Sequence, residues 1–170
     1  MIARPLVIAA AAVAVIGAGF ALVGGTKANR APPAPAQVLL AGDGVVRVRS
    51  AYAMPETIDR LKRDIAGKGI MFFQAVDQTK LAAAAGIRIR PSTLLEFGNP
   101  ALGTLFVNAR AEAGLDWPVR LLVQEDEIGQ VWLAYTDFAW IAQRHRITER
   151  DEPFRMASKV IASIAGSVAK

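Results

Sequence analysis

The run Glu96-Phe97-Gly98-Asn99-Pro100-Ala101-Leu102-Gly103-Thr104-Leu105-Phe106 reads as the end of a strand, a tight corner and the start of a helix. A residue that precedes proline is pushed out of the α region towards extended geometry, the backbone an N-cap residue needs. Asn99 is therefore placed to cap, its side-chain oxygen accepting from the first free N–H groups of the helix. Pro100 falls at the first helical position, where a missing N–H leaves nothing unsatisfied. Gly98 allows a positive φ or the close approach of another segment. Free N–H groups at such a helix start would form an anion site, although a well-capped helix accounts for the same residues without a ligand. No G-x-x-x-x-G-K-[ST] run and no G-x-G-x-x-G after a strand accompanies the corner, so nucleotide binding of those types has no support.

Charge is unevenly spread. Residues 1–41 carry Arg4, Lys27 and Arg30 and no acid, while residues 42–170 hold 17 Lys or Arg against 15 Asp or Glu. The excess of basic charge thus belongs largely to the N-terminal segment, and the remainder lacks the dense basic face with stacking aromatics that a nucleic-acid binder needs. Nucleic acid is not an expected partner. The chain has no cysteine and a single histidine, His145. Disulfides, thiolate catalysis and Cys-ligated metals are excluded, and zinc, which takes three or four N, S or O ligands, is left with only an unusual carboxylate-heavy site. No metal site and no cofactor is implied.

After Met1-Ile2-Ala3-Arg4 comes an uncharged run, residues 5–25, rich in Ala, Val and Ile. A helix of about twenty apolar residues spans the hydrocarbon core of a bilayer, and the run exceeds the ~7–15 residues of a signal-peptide apolar region. Residues 1–25 are accordingly expected to be an uncleaved signal anchor. A cleaved signal peptide is the alternative, since Thr26-Lys27-Ala28 and Ala34-Pro35-Ala36 place small residues at cleavage spacing. Charges flanking the run orient it weakly, but a short head before an apolar stretch is the usual form of an export signal. The expected location is the inner membrane with the domain in the periplasm or outside. Residues 26–41, which contain Ala31-Pro32-Pro33-Ala34-Pro35-Ala36, read as a semi-rigid linker.

From Gly42 onward the pattern is that of a single domain, residues 42–170. Residues 45–50 alternate, with Val46 and Val48 on one face and Arg47 and Arg49 on the other, as in a half-buried strand. Pro55 opens a helix with Ile58, Leu61 and Ile65 on one side, closed by Gly67 and Gly69. Strands are predicted over 70–76 and 92–97 with a short Ala-rich helix at 79–85 between them, and over 119–124 and 131–136 as a hairpin. Asp137 is placed to cap a helix carrying Phe138, Ile141 and His145. A last helix from about Glu152 has Phe154, Ala157, Val160, Ile161, Ile164 and Val168 in one stripe. The order β-α-β4-α, with small helices inserted, makes an α+β layer whose helices cover one face of a mainly antiparallel sheet.

Residues 50–145 also resemble a known bacterial family, Domain of Unknown Function 302. The resemblance lies in Thr57-Ile58-Asp59-Arg60-Leu61-Lys62, in Pro91-Ser92-Thr93-Leu94-Leu95-Glu96-Phe97-Gly98-Asn99-Pro100 with Gly103-Thr104, and in Leu115-Asp116-Trp117-Pro118-Val119-Arg120. It continues through Val131-Trp132-Leu133-Ala134-Tyr135-Thr136-Asp137 to Trp140, Arg144 and His145. Trp117 stands where the family usually has leucine, and Phe138 where proline is common. The resemblance implies a single copy of the TATA-binding-protein-like fold and a homodimer, with no DNA binding entailed and no activity attached.

The candidate ligand-binding residues are Gly98, Asn99, Gly103 and Thr104 at the helix start, with Tyr135, Asp137, Arg144 and His145 from the later block. Two functions of different kinds fit them. One is an exported, membrane-tethered, non-catalytic module that binds a small or anionic molecule or a protein partner. The other is a hydrolase- or isomerase-like enzyme with His145 and Tyr135 as acid and base. Imidazole is a common acid or base in catalysis, yet a position near a helix C-terminus also suits His145 electrostatically. Arg47 with Arg49, and Arg88 with Arg90, would each put two charges on one strand face if extended.

Overall fold

In the computed structural model, residues 38–40 and 42–169 are described. The expected signal anchor, residues 1–25, and most of the linker lie outside the described residues. Six antiparallel strands form one sheet in the order β1-β2-β6-β5-β4-β3. The strands are β1 (Val38–Leu40), β2 (Val45–Arg49), β3 (Met71–Asp77), β4 (Ser92–Gly98), β5 (Val119–Glu125) and β6 (Val131–Thr136). The helices are α1 (Met54–Gly67), α2 (Gln78–Ala84), α3 (Pro100–Ala109), α4 (Phe138–His145) and α5 (Asp151–Gly166), with a 3-10 turn at Ala111–Asp116. The protein is thus a mixed α/β domain built on an antiparallel sheet, and the five expected strands are all present.

Alternation decides which face of the sheet is buried. Leu95, Leu121, Tyr135 and Val46 lie across β4, β5, β6 and β2 in register, as do Val123, Leu133 and Val48 across β5, β6 and β2. All are buried, and they share a core with Leu61 and Ile65 of α1 and Ile161 and Ile164 of α5. Burying one such side chain is worth about 1.5–3 kcal/mol. Phe106 of α3, Phe138 of α4 and Phe154 of α5 pack as a trio, with Phe106 and Phe154 stacked at 4.1 Å between centroids. The opposite face, with Leu94, Leu122, Trp132 and Ala134, is only half-buried.

Pro55 lies in the first turn of α1 as expected, and Gly69, at φ 66°, takes the left-handed turn that releases the chain into β3. Inside the domain, Ser50 Oγ and Thr57 Oγ1 share a buried hydrogen bond of 2.7 Å.

The structure departs from the sequence reading at three places. Val38–Leu40, expected in the linker, forms edge strand β1 against β2. Its apolar residues precede the turn at Gly42-Asp43-Gly44, where Asp43 Oδ1 accepts from Val45 N at 3.0 Å. Asp137 does occupy the N-cap position of α4, but its side chain makes no capping hydrogen bond; its backbone N–H donates to Gly44 O at 2.8 Å. Residues 87–90 form no strand and are exposed, so Arg88 and Arg90 do not stand on a sheet face.

Register also fixes what lies at each end of the sheet. The Gly98 end of β4 sits beside the Val119 end of β5, the Thr136 end of β6 and the Val45 end of β2. We refer to this as the corner end. At the other, hairpin end are Arg49, Trp132, Gln124 and Ser92, with the β5–β6 turn and α2 beyond them.

Candidate functional site at the corner end of the sheet

The corner folds as its residues dictate. Asn99, extended at φ −106° and ψ 111°, caps α3, its Oδ1 accepting from Ala101 N at 2.9 Å and Leu102 N at 3.4 Å. Gly103 N donates to Asn99 O at 2.8 Å, and Pro100 has no N–H to offer. The first-turn donors are therefore engaged, and an anion would have to displace the Asn99 side chain to reach them. Thr104 is engaged too: its hydroxyl donates to Pro100 O at 2.7 Å.

The glycines of the corner are explained by one side chain. The Trp117 indole lies across Gly98 and Gly103, so close that a Cβ on Gly103 would stand 1.8 Å from its Nε1 and one on Gly98 3.1 Å. The ring also meets Phe73 edge-on at 5.9 Å between centroids. Beneath it is a cavity of about 40 Å³, lined by Phe97, Leu102, Phe106, Val119, Phe138 and Ile161 among others, and almost wholly apolar. Space of that size holds a few water-sized groups at most, whereas small-molecule sites typically measure ~300–1,000 Å³. A ligand of ordinary size fits only if some of the lining side chains move.

Beside Trp117, its neighbour Asp116 organises a polar group. The carboxylate, 6% exposed, accepts from Arg144 Nη1 at 3.1 Å and lies 2.6 Å from His145 Nε2, itself 7% exposed; Arg120 Nη2 stands 3.4 Å away. A second small cavity, about 20 Å³, touches Asp116, Arg120 and Thr136 and shares Val119 and Phe138 with the first. Arg144 in turn lies over the Trp140 ring at 5.7 Å. His145 ends α4, and its ring is held by a carboxylate from the 3-10 turn.

Tyr135 is buried on the core face of β6. Burial, and secondarily the nearby Asp137 carboxylate, push its hydroxyl above the ordinary value near 10. At neutral pH it stays protonated, a donor and not a base. Among the described residues no hydrogen bond joins Tyr135 to His145. The eight candidate residues thus separate into three groups: Gly98, Asn99 and Gly103 at the Trp117 cavity with Thr104 bonded back into its own helix, Arg144 with His145 on Asp116, and Tyr135 with Asp137. No group of three or more His, Asp or Glu side chains poised for a metal occurs among the described residues.

Two residues that matter most here, Asp116 and Trp117, had no role assigned from sequence. Their signal was present: one acid and one indole side by side in Leu115-Asp116-Trp117-Pro118. Which partners they meet depends on the register of β4 against β5.

The fold agrees with an independent comparison. The profile described as "Domain of unknown function DUF302" matches residues 46–164. The chain belongs to this family. A crystal structure of an uncharacterized conserved protein DUF302 from Bacillus stearothermophilus shares the fold, with a TM-score of 0.68 and 19% identity over 74% of this chain and 98% of that one. Among curated relatives, "Fluoride-specific ion channel FluC 1" of Brucella suis biovar 1 is 35% identical over 136 residues, 80% of this chain and 52% of that protein. "Fluoride-specific ion channel FluC 2" of Brucella melitensis biotype 1 is 35% identical over 80% of this chain and 49% of its own length. The chain therefore spans about half the length of the curated relatives it matches. For a DUF302 domain the comparison supplies a fold and no activity.

Proposed function

We propose that this chain is a membrane-tethered, non-catalytic binding module whose ligand site is the apolar cavity under Trp117. The observation that carries the proposal is chemical segregation. The cavity at the corner is lined almost entirely by carbon, and neither His145 nor Tyr135 lines it. A ligand there would be held by apolar contact and shape, which favours a small, neutral, apolar molecule. The engaged N–H groups at the start of α3 argue against a bare anion.

The tether is read from residues 5–25, with the domain on the far side of the inner membrane. No helix among the described residues is long and apolar enough to cross a membrane, so that role falls to the N-terminal run. The Brucella relatives, named as ion channels, make a membrane setting for such a domain plausible on other grounds; fluoride chemistry is not carried over. The finer reading of the sheet as a single TATA-binding-protein-like unit, and of the chain as a homodimer, belongs to the same proposal.

One observation favours a second reading, an enzyme: the carboxylate–imidazole contact of Asp116 and His145 at 2.6 Å is an arrangement used to orient a catalytic histidine. A thermal-shift screen of the full chain against neutral apolar compounds, run in parallel on His145→Ala, separates the two. Binding raises the melting temperature by mass action. Shifts that survive His145→Ala support the module, and turnover of a bound compound that the substitution abolishes supports the enzyme.

A further inference from the structure

The apolar cavity has a polar neighbour. The second cavity, about 20 Å³, is bordered by the polar residues Asp116, Arg120 and Thr136 and by the apolar residues Val119, Phe138 and Ile141. Val119 and Phe138 also line the cavity under Trp117, so the two spaces adjoin at these side chains. A water-sized group needs roughly 10–15 Å³ of such space. The second cavity therefore takes one group, and the first, at about 40 Å³, takes roughly three.

The chemistry of the second cavity selects what that one group is. Among the described residues only Nη2 of the exposed Arg120 side chain is engaged, donating to Leu115 O at 2.5 Å and to Asp116 Oδ1 at 3.4 Å. Its Nε and Nη1 are left to donate to a ligand. The Thr136 hydroxyl can donate or accept. Arg144 and His145 meet the Asp116 carboxylate at 2.6–3.1 Å, so the 3.4 Å contact from Arg120 is the loosest on it. Oδ1 is thus the oxygen able to take a further donor. A ligand carboxylate in this space would face Asp116, and an ammonium would face Arg120. A neutral hydroxyl, at once donor and acceptor, matches the set.

We propose that the ligand of the corner is a short aliphatic alcohol of about four non-hydrogen atoms, its carbon chain under Trp117 and its hydroxyl among Asp116, Arg120 and Thr136. The assignment rests on the reading of the apolar cavity as the ligand site and names the class of molecule that site takes. Val119 and Phe138 lie beside the ligand where chain and hydroxyl meet. Arg144 and His145 line neither cavity, so neither touches it.

Two bromides matched in size, 2-bromoethanol and 1-bromopropane, separate the hydroxyl from the chain, and both quench tryptophan on contact. The chain has three tryptophans. Each bromide is titrated against the full chain carrying Trp132→Phe and Trp140→Phe, so that Trp117 reports alone, with free concentrations set through the vapour phase. Arg120→Met is expected to weaken 2-bromoethanol about tenfold and Thr136→Val about fivefold, while 1-bromopropane binds parent and variants alike. If both compounds saturate but neither substitution weakens 2-bromoethanol, or each weakens both compounds equally, the hydroxyl site is wrong and the apolar cavity stands. If neither compound quenches saturably, the reading of the cavity falls with it.

Discussion

Gly103→Ala isolates the contact on which the corner is built. In an exposed helix the substitution would stabilise by about 1 kcal/mol, because glycine is the poorer helix former by that amount. Here the new Cβ would stand 1.8 Å from Trp117 Nε1, 2.2 Å from Cε2 and 2.4 Å from Cδ1, all far inside contact distance. The indole is a rigid ring meeting α3 along its edge, so it must be expelled or the helix must shift. Overpacking of this kind costs ~1–3 kcal/mol, and an overlap this deep belongs at the upper end. The net expectation is a loss of about 1–2 kcal/mol, or a fall in melting temperature of roughly 3–8 °C for a domain of this size. In a Trp117→Ala background the ring is gone, and Gly103→Ala should change sign and stabilise by up to ~1 kcal/mol. Urea unfolding followed by far-UV circular dichroism on the four chains of this cycle gives the coupling directly. An expected coupling of ~2–3 kcal/mol follows; a value below ~0.5 kcal/mol would refute the proposed seat of the indole.

Three further outcomes follow from the same packing. Gly44→Ala meets two penalties, a left-handed φ of 77° and a Cβ 2.3 Å from Trp140 Cγ; a loss of about 2–4 kcal/mol is expected from thermal unfolding, and a neutral result would mean Trp140 does not lie there. Asp126 is held below the ordinary carboxylate range, first by the hydrogen bond from the Trp132 indole and then by the N–H groups of Gln130 and Ile128. Its contribution to stability is therefore complete above the unfolded value of ~3.9 and fades as pH falls through its lower folded value. Asp126→Asn should be less stable than the parent at neutral pH, with the gap closing below about pH 4; a gap independent of pH would remove Asp126 from the account. Asp116→Ala leaves His145 and Arg144 without their buried acceptor and should cost about 1–3 kcal/mol, with a non-additive cycle against His145→Ala; simple additivity would show that the 2.6 Å contact carries no energy.

Much of this architecture could be read from the chain because the relevant signals are local. The alternation of Val46 and Val48, the early Pro55 in α1, and Asn99-Pro100 at the start of α3 each fix backbone geometry within a few residues, and each formed where expected. The functional region was less legible because it is assembled by register. Nothing near Gly103 in sequence announces an indole from fourteen residues away, and nothing near His145 announces Asp116. Asp137 shows the opposite difficulty. A residue with the right identity stands at the N-cap position, yet its side chain makes no capping bond, while its own N–H is tied to Gly44 O. Strand β1 was hidden by a Pro-rich neighbourhood, since its pairing with β2 depends on the turn at residues 42–44.

The most direct measurement is contact quenching of Trp117 in the full chain carrying Trp132→Phe and Trp140→Phe, titrated with a short brominated alkanol. The account predicts saturable quenching, unchanged by His145→Ala and lost when Val160→Phe fills the cavity that Val160 lines. Quenching that never saturates, or that depends on His145 and ignores position 160, would contradict it.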